Sequence, residues 1–214
     1  MVEMKSSYEP DYFRVDSRPY GISYGKWTVR WWRWFLSASK SKNPALDSTG
    51  QYAGENQPER YVWFLAGKLA DENKSLPNRK CSIPLGRSIL FPIINCEANF
   101  LEFPELKTER EIIDHVTSDE NTIVEKVCLL NDVTVPAQRV QSDPVLFSVN
   151  LGKDNIYNVN AEKTNAHGDG YWIFLKPPPK GDYVLSFSGS CENGRLKSGA
   201  NYKLTIQDNE SGDK

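Results

Sequence analysis

Between Tyr24 and Ala38 the apolar residues follow a helical period. At 100° per residue, Trp27, Trp31, Trp34, Phe35 and Ala38 fall on one stripe, which Val29, Trp32 and Leu36 widen. Lys26, Arg30, Arg33 and Ser37 share the narrow polar sector that is left. A helix this apolar around its circumference has to be largely buried. Ser23 stands where an N-cap belongs, and SKSKNP with Pro44 disfavours continuation.

After this helix the pattern changes period. Residues 43–60 are turn-rich and predict a long loop. YVWFLAG (61–67) is apolar without alternation, as a strand covered on both faces would be. Residues 80–94 predict a strand, a turn at Pro84–Gly86 and a second strand, with Pro92 marking an edge or a bulge. Thr108-x-x-Glu111 has the form of a capping box. Ile112, Ile113, Val116, Ile123, Val124 and Val127 continue at helical spacing, predicting two short helices split near Ser118. Asn131-Asp132 then turns a hairpin.

The last third is the clearest β region. VLFSVN (145–150) alternates weakly, and YWIFL (171–175) reads as a central strand. In DYVLSFSG, Tyr183, Leu185 and Phe187 share a face; in NYKLTIQ, Tyr202, Leu204 and Ile206 do. The Pro177–Gly181 turn is expected to join the first two of these as a hairpin. Together the elements predict a mainly β chain with helical additions. The expected form is an antiparallel β-sandwich or jelly roll, with one buried Trp-rich helix near the N-terminus and a helical insertion around 106–127. A single domain is expected over 21–206, flanked by tails at 1–20 and 207–214.

The chain of 214 residues suits one core. Net charge of −2 gives no general pull toward nucleic acid. Charge is nonetheless segregated: residues 26–42 are basic without an acid, and residues 97–125 are strongly acidic. No run approaches the ~18 apolar residues of a membrane-spanning helix, and the first fifteen residues hold no apolar signal segment. The expectation is a soluble cytoplasmic protein whose partner is a carbohydrate or another protein, a second copy of the chain included. Cys81, Cys96, Cys128 and Cys191 are far apart with no C-x-x-C, which favours reduced, partly buried thiols over a zinc ribbon.

The runs YGISYGKWTVRWWRWFLS, VWFLAG, CSIPLGRSILFPIIN and DGYWIFLKPPPKGDYVLSFSG resemble a group of uncharacterised bacterial and archaeal proteins. The resemblance covers most of residues 20–206 and implies no activity and no catalytic residue. The group often carries an acid where Lys26 stands. It also often has a cysteine near Ala53 that would pair with Cys81; here that partner is missing.

Chemistry has few candidates. His167-Gly168-Asp169 has the H-x-D form of a facial-triad iron site, but such a site needs a second histidine, and His115 precedes it on a helix. The plainer reading is a polar turn before YWIFL. No nucleophile elbow, P-loop or dinucleotide fingerprint is present, and no cofactor is expected. Glu97, Glu102 and Glu105, with Phe100 and Phe103, offer paired carboxylates in a loop, the arrangement glycoside hydrolysis would need; a solvated acidic face is the plainer account. Tyr52, Tyr61, Phe100 and Phe103 are the candidate ligand-binding aromatics. The leading expectation is a non-catalytic, ligand- or partner-binding β-sandwich. The alternatives are a glycosidase-like hydrolase and a structural, assembly or membrane-surface protein acting through the basic aromatic helix.

Overall fold

The computed structural model describes residues 8–208, so the outermost parts of both expected tails lie outside the described residues. Three layers stack in order. Helix α1 (Tyr24–Ser37) covers one face of a central sheet, and an outer sheet covers the other. The central sheet runs β1 (Val62–Phe64), β4 (Ser88–Asn99), β9 (Lys163–Leu175), β7 (Gln138–Arg139), with β8 (Phe147–Asn150) sharing the outer edge of β9. The outer sheet runs β2 (Lys68–Asp71), β11 (Leu196–Gln207), β10 (Gly181–Cys191), β5 (Glu125–Leu130), β6 (Val133–Thr134), with β3 (Asn78–Pro84) also on β11.

This layering explains why the central strands do not alternate. Phe64, Leu90, Trp172 and Phe174 face α1, while Leu65, Ile89, Phe91 and Ile173 face the outer sheet. The outer sheet has one wet face, and β3 accordingly alternates exposed and buried positions. The Trp-rich segment is interior: Trp27, Trp31, Trp32 and Trp34 are all buried. Three of their indole N–H groups reach backbone oxygens, Trp27 to Pro19 at 2.9 Å, Trp31 to Leu65 at 2.8 Å and Trp34 to Glu55 at 3.4 Å, while that of Trp32 is buried without a partner. Ser23 caps the helix by accepting from the Lys26 N–H.

Most ladders are antiparallel, but β1 lies parallel to β4, and β3 lies parallel to β11. Residues 8–20 run against the sandwich, Tyr12 bridging Leu175 and Phe13 donating its N–H to Phe174. No helix among the described residues is long and apolar enough to cross a membrane.

Several local expectations are corrected. The Pro177–Gly181 segment is no hairpin turn: it carries the chain from β9 in the central sheet to β10 in the outer one. The Pro84–Gly86 turn does join two strands as expected, and it crosses the other way, from β3 to β4. Pro92 does mark a bulge, yet on a central strand. The second short helix is absent. One helix, α2 (Glu109–Glu120), has the full capping box; of the apolar residues after it, Ile123 and Val124 lie in the connection and Val127 in β5. His167-Gly168-Asp169 is not a turn but the middle of β9. Its glycines answer to close packing: a Cβ on Gly168 would fall 2.5 Å from Trp32 Nε1, and one on Gly170 would fall 2.4 Å from Asn95 Cβ.

Candidate functional site

The strand carrying Glu97 extends five residues beyond residue 94, its expected end, to Asn99, and that extension builds the site. Asn99 is fully buried and terminates β4 with its own side chain. Its Oδ1 accepts from the N–H groups of Leu101 and Glu102, both at 3.0 Å. The chain therefore folds straight back, and Glu102 returns beside Glu97. The Asn99 amide then donates to both carboxyls, Glu97 Oε1 at 3.2 Å and Glu102 Oε2 at 3.5 Å. Two acids sharing one donor stand no farther apart than the ~5–9.5 Å over which paired carboxyls work in glycoside hydrolysis.

The other oxygen of Glu97 accepts a short hydrogen bond from the Tyr157 hydroxyl. Tyr157 comes from a loop that Asn155 organises, its amide donating to Gly152 and Val159 oxygens at 2.8 and 2.7 Å. That loop is tied to the turn that follows α1, where the Lys40 N–H donates to the Asp154 carbonyl oxygen. Burial pushes Glu97 up to about 7, against the lowering effect of Tyr157 and Asn99. Burial, and then the neighbouring charge of Glu97, push Glu102 up to about 8. Near neutral pH this pair holds protons that ordinary carboxylates have lost.

Both acids open on a cleft of about 410 Å³ walled by Trp31, Trp32, Phe35 and Tyr157. Lys68 also reaches the cleft, but its ammonium is taken up by Asp71 and the Asn73 carbonyl. The solvated-face reading of the acidic stretch is therefore replaced for these residues: Glu97 is 6% exposed.

The structure sorts the other sequence candidates. Glu105 is exposed and lies away from the cleft lining. Phe100 and Phe103 pack under α2, where the Phe103 ring meets that of His115 at a tilt of 51°, with centroids 4.4 Å apart. Tyr61 is half exposed and stacks on Tyr20, and Tyr52 sits under Lys42. These four aromatics are not brought together. His167 Nδ1 faces the Val145 carbonyl and Ser142 hydroxyl, while Asp169 is gripped by Arg139 at 2.7 and 3.0 Å. Among the described residues no three potential ligands are grouped to hold a metal ion.

Tyr157 and Asn99 carry no signal that sequence reasoning could use; Trp31, Trp32 and Phe35 were legible as core but not as cleft wall. The four cysteines are free thiols, and Cys81 shares a core cluster with Ala53. Two basic residues of the 26–42 stretch meet the long loop, Arg30 pairing with Glu59 at 2.8 Å and Lys42 with Glu55 at 3.3 Å, while Arg33 donates to the Ser148 carbonyl at 3.1 Å. Comparison with protein-family models, with curated proteins and with solved structures gives no match for this chain.

Proposed function

We propose that this protein binds a small hydroxyl-rich molecule, with a saccharide as the chemical class, in the cleft between α1 and β4. The observation that carries the reading is the meeting of Glu97 and Glu102 beside Trp32, Phe35 and Tyr157. Aromatic walls favour the apolar C–H faces of a sugar ring. The Glu102 carboxyl in the cleft accepts from or donates to its hydroxyls, and a few placed polar groups in an apolar cleft are the usual form of a small-molecule site. Glu102, the less buried acid, is the group free to meet a ligand. A glycan array probed with the full chain tests this. A defined saccharide hit, weakened at least about tenfold by Glu102→Gln, is expected. An array without hits under native conditions overturns the saccharide assignment.

Glycoside hydrolysis is the second reading, favoured by two coupled carboxyls whose protonation falls near neutrality. Against it, both Glu97 oxygens are already engaged, by Tyr157 and by Asn99. Release of a chromogenic aglycone from aryl glycosides, abolished by either Glu97→Gln or Glu102→Gln, would decide for catalysis over binding.

A further inference from the structure

A second, smaller cavity of about 190 Å³ lies on the far side of Ala70, Asn95 and Cys96 from the first. It is closed by the C-terminal end of α2 and the start of β11. We propose that this cavity is a binding site for an alkylammonium group, whose charge meets Glu120 and whose carbon stem lies along Ile94, Ile123 and Leu196.

Glu120 carries the argument. It is 2% exposed, lines the cavity, and its Oε2 has no hydrogen-bond partner. A buried carboxyl oxygen without a donor is costly, and an ammonium N–H is the donor that also answers its charge. The field around it has the same sign. Asp119 and Glu192 line the cavity with it, and Asp169 stands close enough to raise its pKa. No lysine, arginine or histidine lines the cavity. Arg139 and Arg195 are the cations at hand, and each is committed: Arg139 to Asp169 and Asn121, Arg195 to Glu192 and Glu72.

The helix adds to this. Glu120 is the last residue of α2, whose final turn holds no basic side chain of its own; the cation at that end of the helix dipole is Arg139, already bound to Asn121 and Asp169. Burial, with Asp169 next, pushes Glu120 up to about 9, opposed by Arg139 and by the Cys96 N–H that bonds the carboxyl and leaves Oε2 as its open oxygen. The thiols of Cys96 and Cys191 share the wall and are held neutral by burial. An arriving ammonium therefore takes the place of a proton. The volume is below the ~300 Å³ of drug-sized sites and suits a short stem.

The test is isothermal titration of the full chain, near neutral pH, with putrescine and with 1,4-butanediol as its neutral counterpart. Putrescine is expected to bind at least about tenfold more tightly than the diol, with proton release seen as a buffer-dependent heat. Glu120→Gln, isosteric with the protonated acid, should keep its melting temperature and reduce putrescine to the level of the diol. Leu196→Trp should fill the cavity and abolish both. Putrescine indistinguishable from the diol, or unaffected by a folded Glu120→Gln, overturns the proposal. A lysine amide acetylated at its α-nitrogen, run in parallel, separates two sources of the group: tighter binding than putrescine assigns the cavity to a partner's lysine, weaker binding to a free amine. Glu102→Gln should leave this titration unchanged, so the two sites fail separately.

Discussion

Asn99 does at one position what the candidate site depends on: it caps a turn with its carbonyl and holds two acids with its amide. Asn99→Ala removes all four contacts and strands two backbone N–H groups beside buried carboxyls. A loss of ~2–3 kcal/mol is expected from urea unfolding, together with loss of any ligand that Glu102 holds. Gly168 is a second single-residue control. Gly168→Ala would drive a methyl into Trp32, with the strand backbone unable to retreat, at a cost of ~1–3 kcal/mol in the same measurement. At this scale the sequence showed acids and aromatics in number without saying which would meet. Glu97 and Glu102 were legible because carboxyls in a short stretch draw attention. Tyr157 was not, because it reaches the pair from 60 residues away in sequence. Glu105, three residues beyond Glu102, points elsewhere because the turn that Asn99 sets has already ended.

Elements were more legible than contacts. Helix α1 was readable in full because its apolar stripe, its cap and its terminator agree, and one buried face of tryptophans leaves little freedom. Trp31 touches Trp32, Trp34, Phe35 and Trp172 within ring-stacking range. Trp31→Ala should cost ~3–5 kcal/mol and lower the melting temperature by many degrees in calorimetry. The long strands were less legible. Glycines broke the pattern of β9 where Trp32 and Asn95 press on it, so a strand of 13 residues looked like a turn and a short strand. The prolines before β10 looked like a hairpin because local sequence cannot tell a turn within a sheet from a crossing between sheets. Helix α2 is held at its C-terminal end by Arg139, which spans Asp169 on β9 and Asn121 after the helix. Arg139→Ala leaves Asp169 buried without its cation. A cost of ~3 kcal/mol is expected, at the lower end for a broken buried pair because Arg139 is itself partly exposed. Amide hydrogen exchange should show α2 losing protection before β4 or β9 does.

The whole molecule is a sandwich with a third layer, and its buried acids set its response to pH. Glu97 and Glu102 lie in the cleft beside α1 and Glu120 lies at the end of α2, and burial is the first cause of each shift: up to about 7, about 8 and about 9. All three therefore hold a proton in the folded chain that the unfolded chain releases near pH ~4.3. Stability from these groups is fully present below that value, falls as pH rises, and is lost once pH has passed each folded value. Each proton held by the native state alone tilts the curve by ~1.4 kcal/mol per pH unit. Asp47 has a lowered pKa and works in the other direction: its turn hydrogen bonds weaken as acid protonates it. Unfolding midpoints in urea should accordingly peak in mildly acidic solution and decline steadily toward pH ~9, where an ordinary carboxylate protein would be level. The triple substitution of Glu97, Glu102 and Glu120 by Gln keeps shape and removes ionisation, and it should flatten that decline. A wild-type curve already level between pH ~5 and ~9 would mean that water reaches these acids in the folded state. It would then deny the dry interior on which the cleft and the smaller cavity both rest.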